Sequence, residues 1–84
     1  MQMPVNYEKL IKDLVTPLVV HPEDLMVKMF SEDEAMLTLQ VFVHADDLGR
    51  VIGKNGRIAN AIRTIAYASA SRESKKITIN IDSF

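Results

Sequence analysis

The chain has 84 residues, 48% apolar and 25% charged, with a formal net charge of −1 and no cysteine. Its length predicts a single domain over residues 1–84, its apolar share excludes a disordered charged tail, and the missing cysteines exclude a disulfide scaffold, thiol catalysis and thiolate zinc sites. Because no apolar run approaches the ~20 residues of a membrane span and Met1-Gln2-Met3-Pro4 does not begin a signal peptide, we expect a cytoplasmic protein.

The first predicted element is an amphipathic helix over residues 6–19. Asn6 can cap its start, and Pro17 followed by His21-Pro22 limits how far it continues. Apolar side chains recur at the i, i+3, i+4, i+7 spacing that places them on one helical face. They are Tyr7, Leu10, Ile11, Leu14, Val15 and Leu18.

Two strands follow, and the short connection between them predicts an antiparallel hairpin. The segment Ser31-Glu32-Asp33-Glu34, with three acidic residues, is predicted to form its turn. In the first strand the alternating residues on one side are Leu25, Val27 and Met29. In the second strand apolar residues alternate with more polar ones, which is typical of a half-buried strand. The apolar set is Leu37, Leu39, Val41 and Val43.

A short helix and a turn come next. Asp46 or Asp47 can cap the helix, and Gly53 stops it. Its apolar residues are Leu48, Val51 and Ile52. Residues 53–56 then form a four-residue turn that leads into the next helix.

The last two elements are a long helix and a strand. The helix is predicted from Arg57 to about Ser71, and the strand alternates with Ile77, Ile79 and Ile81 on one side. The full order is therefore α-β-β-α-α-β. It predicts an α+β fold in which the helices pack on one face of a three-stranded sheet.

Charge is divided unevenly along the chain. Residues 1–49 carry three lysines against nine acidic residues, a net charge of −6, whereas residues 50–76 carry seven basic residues against Glu73 alone, a net charge of +6. Such asymmetry favours one electropositive face that attracts an anionic ligand. On charge alone, a helix that is simply solvated by Arg and Lys is an equal alternative.

The most informative segment is the turn Gly53-Lys54-Asn55-Gly56. Glycine tolerates left-handed dihedrals and lets another backbone approach closely. The turn opens into a helix N-terminus, where amides and the helix dipole favour a phosphate. Lys54 adds an ammonium, with Arg50, Arg57 and Arg63 at helical spacings around it. Alternatively, Gly53 is only a helix C-cap and Gly56 only a tight-turn residue.

The wider segment resembles the signature of a KH domain. It reads Val51-Ile52-Gly53-Lys54-Asn55-Gly56-Arg57-Ile58, followed by Ile62. KH domains join two helices through a GXXG loop that clamps the backbone of four nucleotides. The element order resembles type II KH domains, which implies a mixed sheet. Over nearly the whole chain the sequence resembles the small bacterial single-KH, KhpA-like RNA-binding proteins, which are not enzymes.

The resemblance implies a set of RNA-binding residues. The loop, residues 53–56, would hold the sugar-phosphate backbone, and the second strand, near residues 39–43, would supply a wall through side chains and edge polar groups. An apolar floor for the bases would come from Leu48, Val51, Ile52 and Ile58. The flanking cations would be Arg50, Arg57 and Arg63. Residues 48–63, which contain the loop, include no aromatic residue, so no base is expected to stack on an aromatic side chain there.

The long helix predicts a second surface. Its apolar residues span roughly 200° of the helical wheel, whereas a surface helix needs only about 100°. We therefore expect a dimer interface with Ala61, Ile65 and Ala68. The resemblance implies pairing with itself or with another KH-containing protein, and a role as RNA chaperone or post-transcriptional regulator linked to cell shape. A protein-interaction adaptor is the alternative, and the choice between RNA and single-stranded DNA stays open.

Other chemistries find little support in the sequence. Residues 49–55 suggest a P-loop, but the spacing is one residue short and Asn55 stands where Ser or Thr is needed. His21 and His44 are the only histidines, and a metal site would need further acidic partners. We therefore expect no catalytic set, no metal and no cofactor.

Overall fold

The computed structural model describes residues 6–32 and 36–84. The segment tested above for a signal peptide and residues 33–34 of the predicted turn lie outside these ranges. In chain order the helices and strands are α1 (Tyr7–Val15), β1 (Met26–Glu32), β2 (Met36–Val43), α2 (Leu48–Ile52), α3 (Arg57–Arg72) and β3 (Lys76–Ser83). The predicted α-β-β-α-α-β order is confirmed. Within the described ranges, no helix has both the length and the hydropathy to cross a membrane.

The three strands form one mixed sheet in the order β1-β2-β3. β1 pairs with β2 antiparallel, as the hairpin prediction requires, and β2 pairs with β3 in parallel. The turn prediction was wrong for Ser31 and Glu32, which pair with Thr38 and Leu37 as part of β1. The pairing with β2 continues through these two positions, which a local run of polar residues does not reveal.

The core lies between one face of the sheet and the three helices. β2 supplies its centre, since every second residue from Leu37 to Val43 is buried. The other fully or nearly buried contributors are Tyr7, Ile11 and Val15 of α1, Leu25 just before β1, Val51 of α2, Ile62, Ala66 and Ala70 of α3, and Ile77 and Ile79 of β3. This arrangement confirms the predicted packing of helices on one side of the sheet.

α1 is held by a cap at its first turn and by a side-chain hydrogen bond to the end of α3. The Lys9 amide donates to Asn6 Oδ1 at 3.1 Å, which confirms the predicted N-cap. The Tyr7 hydroxyl donates to Glu73 Oε2 at 2.5 Å and so ties α1 to the end of α3. Burial and this carboxylate raise the pKa of Tyr7 to about 12, because both oppose a phenolate.

Candidate nucleic-acid interface

The loop that joins α2 to α3 has a backbone that glycine makes possible. Gly53 has φ 75° and ψ 172°, a region that is essentially restricted to glycine. A Cβ on Gly53 would also lie 2.7 Å from Cγ1 of Ile58. Gly56 has φ 75° and ψ 13°, the left-handed region, and its amide donates to the Gly53 carbonyl at 3.1 Å. Gly53 thus sets the loop's approach to α3, while Gly56 turns the chain into that helix.

The loop presents its polar groups outward. Lys54 and Asn55 are exposed, and Arg57 is exposed at the first position of α3. Asn55 adopts φ 57° and ψ 25°, a left-handed conformation that asparagine accepts more readily than most residues. Gly56 offers no side-chain acceptor to the first amides of α3. The Arg57 amide donates to the Lys54 carbonyl, whereas the amides that follow it and the helix dipole make the position suitable for an anion.

Three of the four residues predicted as an apolar floor are half-buried. Leu48, Ile52 and Ile58 each keep part of their surface exposed. Val51 is different, because it is fully buried in the core. The predicted contact of Val51 with bases was therefore wrong, because its side chain belongs to the hydrophobic core.

The strand next to α3 is β3, and the wall predicted from β2 was wrong. β2 is the central strand, so both its edges are paired with β1 and β3 and offer no edge polar groups. Arg63 of α3 donates from Nε and from Nη2 to the Ile79 carbonyl of β3, each at 3.2 Å. Arg63 is thus half-buried against β3, where it fixes α3 to the open edge of the sheet.

Asp47 anchors the segment before the loop. Its carboxylate is fully buried and accepts hydrogen bonds from the Val20 amide at 3.0 Å and the His21 amide at 2.9 Å. Burial alone would raise the pKa of Asp47, but these bonds and the charges of His21 and Arg50 lower it overall. Nε of the otherwise exposed Arg50 lies 3.8 Å from Asp47 Oδ1.

The predicted capping of α2 by Asp46 or Asp47 was wrong. Asp47 occupies the cap position, but its carboxylate makes no cap bond because it is committed to the amides of residues 20 and 21. The preceding turn, Ala45–Asp47, is instead capped by His44, whose Nδ1 accepts from the Asp46 amide at 3.0 Å.

The two histidines lie together, and Asp46 lies beside both of them. Their rings stack with centroids 4.0 Å apart and an interplanar angle of 23°. Asp46 Oδ2 lies 3.8 Å from His21 Nε2 and 3.6 Å from His44 Nδ1. Donor atoms of His21, His44 and Asp46 lie within 4.8 Å of one another, but His44 Nδ1 already accepts the Asp46 amide at 3.0 Å. In this geometry the pair packs the segment before β1 against the start of α2.

The outer surface of α3 carries the residues predicted for an interface. Ala61, Ile65 and Ala68 are exposed, and Ile65 keeps 45% of its surface accessible. Tyr67 is also 45% exposed and faces the start of β3. Sequence reasoning missed Tyr67, although its position four residues after Arg63 places it on the same side of the helix.

The sequence is similar to a family of KH domains. A family model described as KhpA/KhpB, KH domain, matches residues 8–81. The RNA-binding protein KhpA of Listeria monocytogenes is 50% identical over 74 residues, which are 88% of this chain and 96% of that protein. The RNA-binding protein KhpA of Bacillus subtilis is 46% identical over 76 residues, which are 90% of this chain and 93% of that protein.

The structure is similar to part of Era. Aquifex aeolicus Era bound to GDP.AlF4- matches with a TM-score of 0.72 and 13% identity over 100% of this chain. Era in complex with MgGDPNP and nucleotides 1506–1542 of 16S ribosomal RNA matches with a TM-score of 0.64 and 14% identity over 99% of this chain. This chain covers 33% and 35% of those two chains. The likeness shows the fold, which is the predicted type II KH arrangement.

Proposed function

Because this chain belongs to the KhpA/KhpB family of KH domains, we propose that it binds single-stranded RNA through residues 53–56 and performs no catalysis. One observation carries the proposal: an exposed GXXG loop opens into the N-terminus of a helix of 16 residues whose first amides have no side-chain cap. Relatives that are alike over most of their length are named RNA-binding proteins.

In the proposed complex the loop holds the sugar-phosphate backbone. The glycines let the strand approach the main chain closely, and amides at the start of α3 donate to a phosphate. Lys54 and Arg57 add positive charge from exposed positions, and Arg50 adds a third cation. Bases lie against Leu48, Ile52 and Ile58, with the open edge of β3 as the opposite wall.

The proposal is tested by placing negative charge where the phosphate should lie. Lys54→Asp combined with Asn55→Asp leaves both glycines and the core intact, and repulsion should weaken binding of a labelled single-stranded RNA by roughly tenfold or more. Lys28→Asp with Gln40→Glu makes the same change in net charge on the outer face of the sheet and should bind nearly as the wild type does. Equal losses in both variants would contradict a clamp at the loop.

A second part of the proposal concerns self-association. Ile65 is exposed between Ala61 and Ala68, and such small neighbours allow another helix to approach closely. A second copy of this chain, or another KH-containing protein, would cover this face and join two weak RNA sites, which raises overall affinity. Such a complex would act as an RNA chaperone or post-transcriptional regulator in the cytoplasm.

Substitution of Ile65 tests the interface. Ile65→Asp should shift the sedimentation coefficient to that of a monomer, because it places a charge at the centre of the proposed contact. Gln40→Glu adds the same charge on the outer face of the sheet, away from α3, and should leave association unchanged. Unchanged sedimentation of Ile65→Asp, with circular dichroism showing a folded chain, would exclude this face as the interface.

The alternative function is a protein-interaction adaptor in which RNA binding is secondary. It is favoured by the exposed apolar side chains of Ile65 and Tyr67 on α3. The double substitution at Lys54 and Asn55 separates the two functions when the variant replaces the wild type in cells. Loss of RNA recovered by crosslinking together with loss of the cellular function supports the RNA-binding role, whereas an intact function without RNA supports the adaptor.

A further inference from the structure

A second cleft lies along α3, at the opposite end of the helix from the loop. Its open volume is about 550 Å³, and its walls include Tyr67 and Ser71 of α3 and Lys76 and Thr78 of β3. This volume lies within the range of about 300–1,000 Å³ that is usual for ligand sites. Among these residues Tyr67 offers the largest apolar surface, and it is 45% exposed.

This cleft continues the track that starts at the loop. Asn60, Thr64, Tyr67 and Ser71 recur at i, i+4, i+7 and i+11, so they form one stripe along α3. The stripe begins beside the loop, since Asn60 Nδ2 lies 3.8 Å from the Cβ position of Gly56. It ends in the cleft, where Tyr67 lies about 15 Å along the helix axis from Arg57 at the loop end of α3, at 1.5 Å per residue.

The edge of β3 runs beside the same stripe. Arg63 of α3 donates to the Ile79 carbonyl of β3, so this carbonyl lies on the open edge of β3 and points away from β2. Because successive residues of a strand alternate in direction, the peptide groups of Ile77 and Ile81 point to the same edge. Strand edges of this kind offer donors and acceptors to the polar edge of a base.

The chemistry of the cleft suits a nucleobase and its phosphate. An exposed aromatic ring provides a stacking surface for any base, and a nearby cation attracts the phosphates of the nucleic-acid backbone. Proteins that bind single strands use this combination. Here the ring is Tyr67 and the exposed cation is Lys76 at the start of β3. Most other basic residues of the positive segment, residues 50–76, lie toward the loop end of α3.

We propose that the Tyr67 cleft binds one further nucleotide of the RNA strand held by the loop, with its base stacked on the Tyr67 ring. This inference rests on the proposed function, because the strand must first be clamped at residues 53–56. Tyr67 then extends the bound length beyond the four nucleotides that a GXXG loop holds. The selectivity it adds is for strand length and not for sequence, since every base has a face that can stack.

Strand length and substitution at position 67 test the proposal together. Labelled single-stranded RNAs of four and eight nucleotides and mixed sequence are titrated by fluorescence anisotropy with wild type, Tyr67→Ala and Tyr67→Phe. Tyr67→Ala should weaken binding of the eight-mer by about fivefold to tenfold, as expected for loss of one stacked base, and leave the four-mer unchanged. Tyr67→Phe keeps the ring and should behave as the wild type. An eight-mer can align with the loop in more positions than a four-mer, which raises its apparent affinity. This effect is the same for every variant, so variants are compared on the same RNA.

Intrinsic fluorescence gives an independent readout. The chain has two tyrosines and no tryptophan, so a Tyr7→Phe background leaves Tyr67 as the only fluorophore. The eight-mer should quench this emission by stacking, whereas the four-mer should not. Because the four-mer is added at the same nucleotide concentration, it serves as the control for absorption of light by the RNA.

The outcomes separate the two proposals. If neither RNA binds the wild type, the proposed function fails and the cleft proposal fails with it. If both RNAs bind but Tyr67→Ala weakens neither and no quenching occurs, RNA binding stands and the nucleotide site at Tyr67 is overturned. If Tyr67→Ala instead changes only the sedimentation coefficient, the cleft is a protein contact and the proposal is equally overturned.

Discussion

At the residue scale, the three glycines of the segment from Gly49 to Gly56 have different structural roles. Gly53 has a backbone conformation that other residues rarely adopt, and a Cβ added to it would lie 2.7 Å from Ile58 Cγ1. Gly56 shares the positive φ of 75°, but the atom nearest to an added Cβ would be Asn60 Nδ2, at 3.8 Å. Gly49 lies within α2, and nothing approaches its Cβ position within 4 Å. Substituting alanine at each of the three positions therefore tests a different structural constraint.

Gly53→Ala should lower the free energy of unfolding by about 2–3 kcal/mol, because strain and a clash add. Gly56→Ala should cost about 1–2 kcal/mol from the left-handed conformation alone. Gly49→Ala should raise stability by up to about 1 kcal/mol, because alanine is the better helix former. Urea denaturation of the three variants measures these differences, and equal costs at positions 53 and 56 would contradict the packing of Ile58 against the loop.

Asp47 predicts a specific response to acid. Its pKa is lowered from the ordinary value of 3.8 in the folded chain, so its carboxylate stabilises the fold at any pH above that value. This stabilisation is lost as the pH falls below 3.8 and through the lower folded pKa. Asp47→Asn removes the charge and places an amide donor against one of the two backbone donors, Val20 or His21.

The variant Asp47→Asn should therefore be clearly less stable than the wild type at pH 7, and the difference should shrink as the pH falls below 3.8. Urea denaturation at pH 7, 5 and 3 measures this convergence. Asp13→Asn, which removes an exposed carboxylate of α1, is the control and should show little difference at any pH. A gap that stays constant from pH 7 to pH 3 would show that Asp47 does not titrate as the structure indicates.

At the element scale, local features were predictable and long-range partners were not. The period of 3.6 in α1, the alternation in β2 and the cap at Asn6 depend on neighbours within a few residues, and the structure confirms all three. The cap of α2 depends on a contact over 27 residues, because Asp47 is taken up by the Val20 amide. No local pattern in the sequence shows that competition.

The groove wall was assigned to the wrong strand for the same reason. Alternation shows which face of β2 is buried, but not which strands lie beside it. The parallel pairing of Leu39 with Ile79 makes β2 central and leaves β3 at the edge. The loop was predictable because its glycines, Lys54 and the following helix are contiguous, whereas the position of Tyr67 beside β3 needs the packing of α3 that Arg63 fixes.

The contact between α1 and the end of α3 can be tested through Tyr7. Tyr7→Phe removes only the hydroxyl that donates to Glu73, so it should lower the free energy of unfolding by about 1 kcal/mol at pH 8. The folded pKa of Tyr7 is about 12 against an ordinary value of 10.0, so this contribution is complete below pH 10 and is lost as the pH rises toward 12. The wild type should therefore lose stability between pH 10 and 12 more steeply than Tyr7→Phe does.

Tyr67→Phe serves as the control for this alkaline comparison, because it removes the hydroxyl of an exposed tyrosine. Its stability should follow that of the wild type over the same pH range. Parallel loss of stability in the wild type and Tyr7→Phe would contradict a buried phenol held neutral by Glu73.

At the scale of the whole molecule, the net charge of −1 is the sum of an acidic first part and a basic second part of the chain. The positive segment, residues 50–76, contains the loop and α3, while the excess of acidic residues lies in the first 49 positions. A near-neutral body with one basic side attracts a nucleic acid locally and leaves the rest of the surface unattractive to it. Binding should therefore depend on salt through a small number of contacts.

The proposed clamp predicts the size of this salt dependence. If three or four phosphates are neutralised, a plot of log K against log salt should have a slope of about −2 to −3, at roughly −0.7 per phosphate of a single strand. Arg57→Gln removes one exposed cation beside the loop and should make the slope shallower by about 0.7. Lys28→Gln removes a cation from the outer face of the sheet and should leave the slope unchanged. Anisotropy titrations of one RNA between about 50 and 200 mM salt measure all three slopes, and a wild-type slope near zero would contradict backbone clamping at residues 53–56.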